Sequence, residues 1–327
     1  MAHLLPAAAF VGFSLKITHR QDLMTFGGLP GGAGFIAFCS LVAIFLLAAN
    51  RSITRLFEGY PFKNRRCLTW VQRRRFLQLQ RRLVVLDNQW PLDPKLEIER
   101  SALMVRLAER FPDEEHWILP TSFGNAIRAF EVYSRKMYEF QIIEGWTRLL
   151  TVVPKEFREL LDAAKADTDL WVNVWFLSLV GFVDGLFSRF TVHRPSEGTN
   201  HWLLGQLGIM TFGPDLEMWL SCAIAMTSAF CAAWLATRAA VEWGSLVKAS
   251  VDVYLPSLYR VLSFQEASDA KSVKDQWMRF SAAIKDRRPD QMPERMWGGT
   301  RSSDVEATQP QKSQAEVSVG VNPGQTK

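Results

Sequence analysis

The sequence predicts an all-α integral membrane protein with about three transmembrane helices and a helical cytoplasmic domain. Three observations predict it: apolar residues bunched into runs of spanning length, basic residues confined to alternate segments, and helical periodicity with little that reads as strand. Of 327 residues 48% are apolar, yet the mean hydropathy is near zero, so distribution rather than amount sets the class. Twelve Trp and 22 Phe suit long lipid interfaces, where aromatic rings sit at headgroup level.

Residues 1–31 contain a short apolar stretch, 4–15, too short to span and better suited to an interfacial or re-entrant segment. It does not read as a cleaved signal peptide. No Lys or Arg precedes it, Pro6 interrupts it, and Lys16 and Arg20 stand where a small-residue cleavage site belongs. The first span is GAGFIAFCSLVAIFLLAA, residues 32–49, an uncharged run close to the ~20 residues that cross a bilayer core. The second, 170–187, carries Asn173 and Asp184, and the third, 218–237, is uncharged and ends at Arg238. A further apolar stretch, 202–212, is again too short to span and leaves 188–217 as an outer loop with a re-entrant candidate.

Lys and Arg number 2 in residues 1–31, 21 in 51–169, 2 in 188–217 and 13 in 238–327. Basic segments stay on the cytoplasmic side, so the expected topology has the N-terminus outside and the C-terminus inside. Three spans demand that alternation, and the charges follow it at every loop.

In the basic region 51–169, RRCLTWVQRRRFLQLQRRLVVL (65–86) sets Trp70, Phe76, Leu77, Leu83 and Val84 among Arg73, Arg74, Arg75, Arg81 and Arg82. Such a helix beside a span would lie on the anionic inner leaflet, gaining about 1 kcal/mol per near-surface charge. A stop-transfer cluster that only fixes topology explains the same charges. Nucleic acid is not expected, because the adjacent membrane already accounts for the basic residues. Residues 94–111 form a cleaner helix, with Pro94 in its first turn, Leu96, Leu103, Leu107 and Phe111 near one face, and Pro112 closing it. Asp113, Glu114 and Glu115 read as a solvated loop.

ILPTSFGNAIRAFEVY (118–133) begins polar and turn-prone, then becomes amphipathic. Ser122 can cap the helix, and Phe123, Ile127 and Phe130 form its apolar stripe. Gly124 and Asn125 are poor helix formers in a first turn, and a glycine there suggests close approach of another backbone. Arg128 and Glu131 stand three apart and can pair. The segment is expected to be a structural junction, with a ligand site as the other reading. Residues 140–153 and the helix opened by Pro154 then lead into the second span. The cytoplasmic return, 238–297, has Pro256 mid-pattern, which should kink or divide its helix. Residues 298–327 are polar and poor in large apolar side chains, the composition of a disordered tail.

Within the spans, Asp184 is the lone ionisable residue, either a boundary or packing residue or part of a polar pathway. Gly181 and Gly185 form a GxxxG. In the third span Ser221, Ala225, Ala229, Ala233 and Thr237 make one small-residue ladder, and Ser228, Ala232, Ala236, Ala240 and Gly244 a second. Small residues at this spacing let helix backbones approach in lipid, inside a subunit or between subunits of a homo-oligomer.

No catalytic constellation is visible. His3, His19, His116, His193 and His201 are scattered, and no P-loop, GxSxG, HExxH or dinucleotide fingerprint occurs. Cys39, Cys67, Cys222 and Cys231 form no CxxC or Cys/His cluster, so neither a metal nor another cofactor is predicted.

Residues 119–133 resemble a pattern, roughly P-T-x-x-G-N-x-x-R-A-x-E-x-Y, of uncharacterised bacterial multi-span proteins. Here it falls on Pro120, Thr121, Gly124, Asn125, Arg128, Ala129, Glu131 and Tyr133. WTRLL, VPKEF and VDVYLPSLYR are similar too, and the likeness covers about a third of the chain. The resemblance implies a bacterial plasma-membrane protein with this motif in a cytoplasmic region, and no assigned reaction or cofactor. The expected function is an oligomeric channel-like, signalling or effector component whose cytoplasmic domain meets an unidentified partner or ligand. The alternative is a membrane-bound enzyme acting on lipid or lipid-linked substrates, with Asn125, Arg128 and Glu131 at an interfacial site. Against a transporter stand the few spans and the lack of an evident inverted repeat.

Overall fold

A computed structural model describes residues 4–17, 31–63, 66–89, 93–191, 214–264, 269–288 and 292–293. Among these residues the chain forms nine α-helices and no strand: α1 Leu4–Ile17, α2 Gly31–Glu58, α3 Arg66–Asp87, α4 Pro94–Arg110, α5 Ser122–Tyr138, α6 Ile142–Val152, α7 Lys155–Thr191, α8 Pro214–Val261 and α9 Ala270–Asp286. Short 3₁₀ turns occupy Tyr60–Phe62 and Glu115–Trp117. The apolar stretch 202–212 and the tail 298–327 lie outside the described residues.

Three helices are long and apolar enough to cross a membrane, within Ala33–Glu58, Lys155–Phe187 and Trp219–Val261. The two later ones form an antiparallel pair whose register is fixed by side chains along its length. Phe157 meets Tyr254, Lys165 lies over Trp243, Ser178 donates to Ser228, and Gly185 faces Cys222. From 157 to 185 that is about 42 Å of helix, well beyond the ~30 Å of a bilayer core. The spans therefore continue without a break into the extramembrane domain.

Small residues make this pairing close. Ala225, Ala229, Ala232, Ala236 and Ala240 are all buried, as are Gly181 and Gly185. A Cβ on Gly244 would come 2.6 Å from the Phe130 ring, so α5 also rests on this face of α8. Both ladders are thus largely covered within one chain. The sides left open are apolar, with Ile36, Leu41, Ile44, Phe45 and Leu47 on α2 and Leu220, Ile224, Phe230 and Trp234 on α8. Such residues are what a span presents to lipid. The helix α1 covers a further part of α2, burying Ala7 and Val11 completely.

Outside the spans, α5, α6 and α9 pack around the extended ends of α7 and α8. The far end of this core is aromatic. Phe140, Tyr259, Phe264, Trp277 and Phe280 meet mostly edge to face, with centroids 5.1–5.9 Å apart, a geometry that ring quadrupoles favour. Two sequence expectations are corrected here. Pro256 does not divide its helix, since α8 runs on to Val261 with Val251, Leu255 and Leu258 buried along it. That packing outweighs the one backbone bond a proline removes. The acidic triplet does more than solvate a loop, because Asp113 pairs with Lys136 and Glu115 with Arg73.

Candidate functional site

The residues singled out in 118–133 gather around the end of α2. Gly59 follows Glu58 with φ of +86°, a left-handed conformation suited to glycine, and its N–H closes onto the Leu56 carbonyl at 3.0 Å. Any side chain at 59 would come within 3.1 Å of the Pro120 ring, which caps this turn. Thr121, rather than Ser122, caps α5. Its Oγ1 accepts from the Gly124 N–H at 2.9 Å and donates to the Glu58 carbonyl at 2.9 Å. One hydroxyl thus satisfies an orphan amide of α5 and an orphan carbonyl of α2. Ser122 accepts instead from Gln72 of α3 at 3.1 Å.

Gly124 is where the two helices touch. A Cβ there would lie 2.2 Å from the Glu58 carbonyl oxygen, closer than any side-chain carbon can approach. Asn125 is fully buried and closes on the backbone of Leu119, accepting its N–H at 2.7 Å and donating to its carbonyl at 3.0 Å. The loop before α5 is buried, so its peptide groups need such partners.

One turn further, Arg128 donates to the Tyr60 hydroxyl and pairs with Glu131 at 3.0 Å, with side-chain exposures of 15% and 20%. Its guanidinium also lies 5.5 Å from the Tyr60 ring centre and 5.2 Å from that of Trp117, while Arg135 sits 5.2 Å from Trp117 on its own account. Glu58, itself buried, is within electrostatic reach of both Arg128 and Glu131. A buried and a partly buried carboxyl therefore both feel the Arg128 guanidinium, which is paired with Glu131. Burial pushes the Glu131 carboxyl up from its ordinary value; Arg128 opposes that shift and Glu144 adds to it. The Tyr60 phenol is also raised, by burial first and then by Glu131.

Tyr133 turns to a different helix. Its hydroxyl donates to Asp252 of α8 at 3.0 Å, and Tyr138 donates to the same carboxylate at 2.9 Å. Burial, then Asp252, pushes the Tyr138 phenol up to about 12. Lys248 lies 5.4 Å from the Tyr133 ring centre and donates to the Ala108 carbonyl at 2.9 Å, tying the end of α4 to α8. The motif thus fastens α5 to α2 at one end and to α8 at the other.

The remaining residues named from sequence lie elsewhere. Asn173 is fully buried in α7 and Asp184 is half-buried nearer the C-terminal end of that helix. All five arginines of α3 named from sequence are exposed; Arg73 and Arg82 are also paired, with Glu115 and Glu99. Among the described residues no group of His, Cys, Asp or Glu is arranged to hold a metal. Sequence reasoning missed Glu58, Tyr60, Trp117 and Asp252, the partners that give the motif its shape. Glu58 carried a signal, being the one acid among ten basic residues in 51–82. The chain matches no family model, no curated protein and no solved structure.

Proposed function

We propose that the chain is a multi-pass plasma-membrane protein, of the bacterial kind its motif resembles, with the N-terminus outside and the helical domain in the cytoplasm. It acts as a channel-like, signalling or effector component that passes events in that domain to its spans. The observation that supports this reading is the junction at Glu58. Thr121 and Gly124 bind α5 to the last carbonyl of α2, and α7 and α8 enter the domain unbroken. A displacement of α5 has no soft segment in which to dissipate before it reaches the membrane helices.

A lipid-directed enzyme fits these contacts less well. Asn125 is engaged with Leu119 on both its polar atoms, and Gly124 abuts a backbone carbonyl. Arg128 and Glu131 are paired with each other. Purified protein in liposomes distinguishes the two. Ion flux that changes in Arg128→Ala supports the coupling reading; turnover of a labelled lipid that requires Arg128 or Glu131, without flux, would replace it. Reporter fusions near residue 196 and at the C-terminus test the orientation, and an inside signal at 196 overturns it.

A further inference from the structure

The helix α3 has one face inside the protein and one outside. Gln72, Phe76 and Leu86 are buried, with Gln72 bonded to Ser122 and Phe76 packed on Phe111. Trp70, Arg74, Gln78, Arg81 and Val85 recur three and four apart on the opposite side, all exposed, with Trp70 at 55%. The Arg74 guanidinium stands 5.3 Å from the Trp70 ring centre. Neither Arg74 nor Arg81 has a carboxylate partner among the described residues, whereas Arg73 and Arg82 point to acids of the protein itself. All five arginines of the cluster are thus exposed, but Arg73 and Arg82 are paired with acids of the protein while Arg74 and Arg81 stand on the open face.

The position of this face follows from the junction. Gln72 bonds the residue next to Thr121, and Thr121 bonds the Glu58 carbonyl, so the first half of α3 is level with the end of α2. From Ala49, where the apolar run ends, to Glu58 is about 14 Å of helix. Headgroups occupy roughly 5–7 Å beyond the hydrocarbon, and a charged surface acts over about 10 Å. Arg74, two residues after Gln72, falls within that field, and Trp70 beside it has the amphipathic ring that headgroups favour.

We propose that the face formed by Trp70, Arg74, Arg81 and Val85 lies on anionic phospholipid of the adjoining leaflet. The inference rests on α2 crossing the bilayer and is independent of whether the protein conducts ions or signals. A soluble partner would not need the face to sit level with the end of a span, and a purely topological charge cluster would not need its tryptophan.

The test uses full-length protein in nanodiscs, with its four cysteines replaced by serine and Gln78→Cys carrying a polarity-sensitive fluorophore. Emission is expected to shift to the blue when phosphatidylglycerol is added to a phosphatidylcholine nanodisc, and to return in high salt. The double variant Arg74→Gln/Arg81→Gln should remove the shift, each arginine weakening engagement about fivefold. Arg73→Gln/Arg82→Gln serves as a variant with the same charge loss and should keep it. An emission indifferent to anionic lipid overturns the proposal, as does equal loss of the shift in both double variants.

Discussion

The segment 118–133 and the helix α3 both adjoin the end of α2, and both are dense in polar and charged residues. Around 118–133 those groups are answered from within. Asn125 meets Leu119, Thr121 meets Glu58 and Gly124, and Arg128 meets Tyr60 and Glu131. Along α3 the contacts are sparser, and Arg74 and Arg81 stand on an exposed face. What separates a junction from a surface here is how many partners within the chain each polar side chain finds. Charge density does not distinguish them.

The comparison is broken most severely at Gly124. Replacing it by Ala forces a carbon against the Glu58 carbonyl, where neither backbone can yield cheaply. A loss of about 3 kcal/mol or more is expected, read as a fall in thermal midpoint in detergent or nanodiscs. Asn125→Ala comes next. It strands the Leu119 amide and carbonyl in a buried loop, and a loss of about 2–3 kcal/mol is expected. If either variant unfolds like wild type, 118–125 is not the fastening it looks to be.

Arg128 and Glu131 sharpen the comparison through pH. A carboxyl raised by burial prefers its protonated form in the fold. Its contribution to stability is full below the ordinary value of 4.5 and is lost as pH rises through the higher folded value. Glu131→Gln should therefore flatten the dependence of thermal stability on pH above 4.5, and a variant keeping the wild-type slope counts against the assignment. Arg82→Gln, on the other side of the comparison, should leave stability unchanged within error, since its pair with Glu99 is exposed. A clear destabilisation would mean that α3 is held by its charges after all.

Much of the architecture was legible because its causes are local. Lipid demands long apolar runs, and those at 32–49, 170–187 and 218–237 each lie within one of the three long helices. Gly124 was legible for the same reason, as a residue of low helix propensity in a first turn implies a neighbour that admits no Cβ. The partners were not legible. Glu58 lies 63 residues before Thr121 and Asp252 lies 119 after Tyr133, and nothing in single-chain periodicity links positions so far apart. Of the two outcomes expected at Pro256, division of the helix does not occur, because Leu255 and Leu258 hold α8 through it.

Hydrogen exchange along the chain in lipid nanodiscs, for wild type and Thr121→Val, tests most directly whether the end of α2 and the start of α5 form one unit. The substitution removes the hydroxyl that bonds both Glu58 and Gly124 while nearly conserving volume. Exchange is expected to quicken together in residues 55–62 and 118–128, with the middle of α3 unchanged. Quickening confined to the first turn of α5, with 55–62 as protected as in wild type, would contradict the junction.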